Sequence, residues 1–173
     1  MNTLTDLYAH MHWADAAMWR TLLDSSEAKE NERLHSLSYH LHLVQHAFMR
    51  VWKKEPYDVP KAESFPTLED IAVWGKQYHE SIPAFLSSLG ADDLAAEMDI
   101  PWAVQIKRMF GTDPAPVTLE NTLLQVVMHT QYHRAQINTM LRAVGGTPAH
   151  GDLISWVWLH RPQPEWPALA EDA

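Results

Sequence analysis

The sequence predicts an all-α domain, a four-helix bundle, and three observations carry that reading. Four long segments place apolar residues alternately three and four positions apart, the spacing of a helix face rather than of a strand. Breakers rich in proline, glycine or Asp and Ser separate them. At 173 residues the chain is long enough to bury a real core and needs no second unit.

The first helix runs through Leu4, Leu7, Met11, Ala14, Met18 and Thr21 and should end near Asp24-Ser25-Ser26. The second carries Leu34, Leu37, Leu41, Val44, Phe48 and Val51 and stops at Glu55-Pro56. The third opens at Thr67, a hydroxyl cap, with Glu69 and Asp70 in the first turn where acids complement the helix dipole. It continues through Leu68, Ile71, Gly75, Tyr78, Ile82, Phe85 and Leu89, and Pro83 should kink it because proline removes a helix hydrogen bond. The fourth follows GTDPAP, takes Thr118 as its cap and stops at Gly145-Gly146. The links are 25–33, 56–66 and 91–116; the last is long for a bundle turn, so it is expected to cross over and to hold local structure around IPWAVQI. HGDLISWVWLH is a candidate short C-terminal helix, which places the bundle in residues 1–160 and leaves RPQPEWPALAEDA, 161–173, as an extended tail.

Composition narrows the function. A formal charge of −9 repels phosphate backbones, and the basic pairs Lys53-Lys54 and Lys107-Arg108 form no stripe, so no nucleic-acid partner is expected. The absence of cysteine excludes thiolate catalysis and iron-sulfur ligation, so a transition-metal site must use His, Asp or Glu. No segment reaches the roughly 18 apolar residues of a membrane span, and the N-terminus lacks a signal pattern. A cytoplasmic protein without a membrane partner is expected. Abundant Trp and Met suggest an apolar face left over for a homodimer, with Trp52, Trp156 and Trp158 as core or interface residues.

The stretch HTQYHRAQ, residues 129–136, raises the main chemical question. Leu119, Thr122, Val126, His129, His133, Gln136 and Met140 form a seam, so both histidines should face the core. Residues four apart on a helix have Cβ atoms about 5–6 Å apart, and two imidazoles there can converge on one ion. A buried structural pair would need other partners for its ring nitrogens, and a metal would need a third ligand.

The second helix supplies candidates. With Leu34, Leu41 and Phe48 at heptad position a, and Leu37, Val44 and Val51 at d, His35 and His42 fall at b and His46 at f, all toward solvent. His40 falls at g, bordering the seam. In the first helix His10 is also at g, which makes it the next candidate ligand, and His12 is at b. His79, His150 and His160 are expected at the surface or in loops, with His35, His42 and His46.

Three stretches together, TDLYAHMHWADAAMW, HLHLVQHAFMRVWKKEP and HTQYHRAQINTMLRAVGGTP, resemble the DinB/YfiT-like superfamily of bacterial metal-binding four-helix bundles. The last is similar to its H-x-x-x-H-R-G-Q helix, with Ala135 where glycine is usual. His40 lies eight residues before Phe48 and fourteen before Lys54, matching the family's first histidine, a spacing His42 does not satisfy. The resemblance implies an up-down-down-up bundle with a long second connection and a metal site of His40, His129 and His133. Asp15 stands where many relatives have Asn, at what looks like a helix-packing contact.

Three neutral ligands leave positions open, the pattern of catalytic zinc sites. Related families include thiol-dependent S-transferases, which implies a metal-dependent transferase using a low-molecular-weight thiol, or a small-molecule hydrolase. The alternative is a non-catalytic metal-binding or stress-response module acting as a dimer. The expected cofactor is a divalent transition metal, zinc or nickel ahead of iron or manganese. Gln136, Tyr132 and Arg134 are candidate supporting or substrate residues, with Arg134 ranked first as a salt bridge or packing contact. A zincin would need Glu where Thr130 stands, and a ferritin-like di-iron site would need paired Glu-x-x-His motifs. Only Glu32 to His35 has that spacing.

Overall fold

A computed structural model describes residues 3–169. In chain order the elements are α1 (Thr3–Asp24), α2 (Ser26–Lys29), α3 (Glu32–Trp52), α4 (Leu68–Ser87), α5 (Ala91–Ala95), β1 (Glu97–Met98), α6 (Val104–Phe110), β2 (Val117–Thr118), α7 (Leu119–Ala143) and α8 (Leu153–Trp158). The four long helices are α1, α3, α4 and α7. Thr67 and Thr118 each close a reciprocal cap, with Asp70 and Asn121, satisfying amide groups that a first turn leaves open. Past the end of α7, Gly145 takes φ +90°, a left-handed conformation that a side chain would strain.

Contacts between helices set their directions. Tyr8 donates to the Leu123 carbonyl and Arg134 to Asp15, so α1 and α7 run parallel. His35 meets the Phe65 carbonyl, His46 the Trp74 carbonyl, and Trp52 stacks on Phe85, so α3 and α4 are also parallel. Trp52 donates to Thr122 near one end while His40 approaches His133 farther along, which makes α3 and α7 antiparallel. The bundle is therefore up-down-down-up.

Parallel neighbours need a connection that returns the length of the bundle, and residues 53–67 provide it. Tyr39 donates to the Pro60 carbonyl as this segment passes back along α3. The crossover is thus here and not in 91–116, where loop length alone had placed it. The later link joins antiparallel α4 and α7, whose ends adjoin, so it stays at one end and folds into α5, the β1–β2 pair and α6. The local structure expected around IPWAVQI is α6. The 25–33 link is likewise more ordered than expected: Ser25 caps α2, and Asn31 caps α3 from Glu32 onward.

The core has two apolar clusters with a polar layer between them. One gathers Trp19, Leu41, Ile71 and Ile137; the other gathers Met11, Phe48, Tyr78 and Leu123. Between them each long helix contributes polar groups. Asp15 is fully buried and accepts from Arg134 at 2.5 Å, His79 at 2.9 Å and Gln45 at 3.1 Å. Gln45 also donates to Thr130 at 3.1 Å and accepts from His42 Nδ1 at 2.6 Å. His42 Nε2 accepts from Trp19 Nε1 at 2.9 Å. A Cβ on Gly75 would come within 2.3 Å of the His42 ring, so this helical glycine makes room for the imidazole.

His42 and His79 are therefore buried, against the expectation that they face solvent. The heptad frame describes a narrow two-helix seam, whereas α3 packs against both α4 and α7 and buries a wider face that includes Ser38, His42, Gln45 and Met49. His35 and His46 are half-buried and held by the Phe65 and Trp74 carbonyls rather than free in water. His150 and His160 are exposed, as expected.

The segment 161–169 is extended and lies against α1: Trp166 donates to His12, Glu165 pairs with Arg20, and Leu169 is buried. The last four residues of the expected tail, 170–173, lie outside the described residues. Among the described residues no helix is long and apolar enough to cross a membrane.

The buried histidines make stability depend on acid. Burial pushes His42 and His12 down to about 3 and His46 down to about 4. An unfolded histidine protonates near pH 6.5, so below that value the unfolded chain takes up protons that the fold refuses. Their contribution is complete above about pH 6.5 and is lost as pH falls toward 3–4. Urea midpoints measured from pH 7.5 to 4 should fall steadily below about 6.5; a flat profile over that range contradicts this.

Candidate metal centre

α7 presents His129, His133 and Gln136 on its flank toward α3 rather than on its buried axis. The centre of its buried face runs through Leu123, Val127, Thr130, Arg134, Ile137 and Leu141. A strict 3.5-residue seam drifts by about 20° per heptad on a straight helix, which is why the spacing placed the histidines deeper than they are. They are half-buried, as is His40 across from them on α3.

The three rings converge. Centroid separations are 4.3 Å for His129 and His133, 4.6 Å for His40 and His133, and 5.3 Å for His40 and His129. One ring nitrogen from each lies within 4.8 Å of the others. Nitrogens bound tetrahedrally to one ion at about 2.0–2.1 Å lie about 3.4 Å apart, so small side-chain rotations bring this group to a metal. Among the described residues no other cluster of three His, Asp or Glu side chains does so.

The donor set fits an ion. His129 Nε2 is buried with no hydrogen-bond partner, an orphan that a metal would satisfy. His133 Nδ1 donates to Gln136 Oε1 at 2.8 Å, which leaves the Nε2 lone pair free and orients the ring. Burial, with His133 and then His40 beside it, holds His129 down to about 4. Burial also lowers His40, reinforced by His133, and lowers His133 despite the opposing Gln136 bond. Neutral imidazole is the form that ligates metal.

The other expected site residues lie elsewhere or act differently. His10 Nε2 donates to the Gly151 carbonyl at 3.0 Å and sits between Trp13 and Trp156, outside the three-histidine group. Arg134 is buried against Asp15 and also donates to Gln131, so it is a packing ion pair. Tyr132 is exposed and meets the His133 ring edge-on at 5.1 Å. His42, the other candidate on α3, has both nitrogens bonded and none to offer an ion.

A sequence model of the DinB family matches residues 1–166. The chain belongs to the DinB family. No curated protein matches it. The DinB match spans the bundle, both histidine-bearing helices and the segment through Trp166 that packs on His12. The three-histidine group is compatible with metal binding in this DinB protein.

One feature beside the three histidines had no clear sequence signal. A cleft of about 820 Å³ lies beside the centre, with Val44 and Phe48 of α3, Trp102 and Ile106 around α6, and His129 of α7 in its walls. The apolar residues of IPWAVQI pointed to local structure there, and nothing in their spacing showed that they face a cavity.

Proposed function

We propose that this DinB protein is a metal-dependent enzyme that transfers a thiol to a small electrophile. His40, His129 and His133 hold one divalent ion, with zinc or nickel ahead of iron or manganese. The observation that carries this reading is the double role of His129, which belongs both to the ligand group and to the wall of the cleft. Three protein ligands leave positions open at the ion, the pattern of catalytic sites. When bound, the metal supplies Lewis acidity that makes a thiol or a water a nucleophile near neutral pH.

The chain's own residues favour the thiol over water. Thr130, where a zincin carries its glutamate base, is buried and accepts from Gln45. The cleft's carboxylates, Glu97 and Asp99, are exposed, and neither belongs to the three-histidine group; Glu97 pairs with Thr118, the cap of α7, about three turns before His129. Hydrolysis by a water nucleophile would want a base beside the ion, whereas a thiol loses its proton readily once its pKa falls. Gln136 holds the His133 ring, and Val44 and Phe48 give the cleft an apolar lining.

Cobalt-substituted protein titrated with 2-mercaptoethanol tests this. A saturable sulfur-to-cobalt absorption band is expected. An unchanged spectrum on protein holding one cobalt per chain would mean a closed site and would favour the non-catalytic alternative.

A further inference from the structure

The face of α7 turned away from the three histidines carries a second pocket. It encloses about 300 Å³ between the C-terminal half of α7 and the loop 149–152, at the lower end of the range of small-molecule sites. On a helix of 3.6 residues per turn, Asn138 and Arg142 in its wall stand about 140–180° around α7 from His133. We infer that this pocket binds a small molecule through an oxyanion group, a phosphoryl or a carboxylate.

Donors without partners point to that class. Arg134 is buried and held by Asp15 and Gln131 through its two terminal nitrogens, which leaves its Nε–H. A Cβ on Gly151, across the pocket wall, would lie 3.7 Å from that nitrogen. The Gly151 carbonyl accepts from His10 at 3.0 Å and anchors the loop, while the Gly151 N–H donates to nothing among the described residues. Asn138 has its Oδ1 buried with no partner, and its Nδ2 likewise donates to nothing among the described residues. The Arg142 guanidinium makes no ion pair or hydrogen bond among them either. Guanidinium forks match the paired oxygens of a carboxylate or a phosphoryl group, and such charged hydrogen bonds are the strong ones.

Charge agrees once each group is placed. Asp15 balances Arg134 inside the core, so Arg142 is the cation left for a ligand. Asp152, the carboxylate in the lining, is 69% exposed and lies 3.9 Å from the His150 ring, which also bonds Ser155. A ligand acceptor therefore meets open donors on Arg134, Asn138, Arg142 and Gly151, whereas a ligand cation meets Asp152 alone, in water that screens it. An ion at the three histidines would add a positive field and favour an anion here as well, so the preference holds with or without the metal.

The test is an NMR titration of isotopically labelled full-length protein with sodium phosphate and with sodium succinate, at fixed ionic strength. Saturable shifts centred on the Gly151 amide and the Asn138 side-chain amide are expected with at least one of them. Tighter binding of phosphate assigns a phosphoryl group, and tighter binding of succinate a carboxylate. Arg142→Gln, at an exposed position, should weaken binding about fivefold or more, and Arg142→Lys should weaken it less because the charge remains. Asp152→Asn should strengthen it about twofold. His129→Ala separates the pocket from the metal, where an anion could also bind, and the shifts at Gly151 and Asn138 should persist in it. Shifts that do not saturate, that miss Gly151 and Asn138, that Arg142→Gln leaves as strong, or that His129→Ala abolishes overturn the inference. Its failure in any of these ways leaves the metal reading standing, because the two sites are read from different residues.

Discussion

Replacing Asp15 with alanine is expected to cost the fold about 3–5 kcal/mol, the usual penalty for leaving a buried charge without its partner. Asp15 is 0% exposed and Arg134 4%, so water cannot take over when the carboxylate is lost. Arg134 would stay charged in the core, and His79 and Gln45 would each lose an acceptor. Domains of this size are stable by about 5–15 kcal/mol, so the variant should be marginal. Burial alone would raise the Asp15 pKa, but Arg134 and the His79 hydrogen bond together hold it well below the usual carboxylate range. Its contribution is therefore present above the unfolded value near 4 and is lost only in stronger acid. Asp15→Asn, which keeps an acceptor oxygen, should lose less, and Asp15→Leu with Arg134→Met should recover much of the loss because neither charge remains. Urea unfolding measures all three. A loss below about 1 kcal/mol for Asp15→Ala contradicts the polar layer as described.

His40→Ala, His129→Ala and His133→Ala should each lower metal affinity about a hundredfold. A site worth about 10–16 kcal/mol over four ligands gives roughly 3 kcal/mol to each, and 1.4 kcal/mol is tenfold. Gln136→Ala should weaken binding about tenfold by releasing the His133 ring. His42→Ala and His10→Ala should leave affinity unchanged, because their ring nitrogens bond Trp19, Gln45 and Gly151 rather than an ion. His42→Ala should instead lower stability, since it opens a cavity in the core and strands the Trp19 indole N–H. Competition with a chromogenic chelator gives the affinities. An affinity loss in His42→Ala without one in His40→Ala would move the third ligand by two residues.

Much of this was legible because it is written locally. Helix starts at Thr67 and Thr118 follow from a hydroxyl cap, with acids in the first turn after Thr67 and the breaker GTDPAP before Thr118. His129 and His133 share a face through their spacing, and His40 was separated from His42 by its heptad position and its distance from Phe48. The polar layer was not legible, since each member finds its partner on another helix. His79 shows only an isolated polar position until Asp15, 64 residues away, is placed against it. The heptad frame also misplaced His42 because it allots α3 one partner, while the bundle gives it two. Loop length alone misplaced the crossover for a similar reason: it marked 91–116 as the longer link, whereas the parallel course of α3 and α4 makes the second connection travel, as the family resemblance implied.

An anomalous difference map from zinc-soaked crystals, collected at the zinc edge, tests the metal centre most directly. The account predicts one strong peak per chain, about 2.0–2.1 Å from a ring nitrogen of each of His40, His129 and His133. No peak among these three rings, or a peak only elsewhere, such as beside His12 and His79, would contradict it.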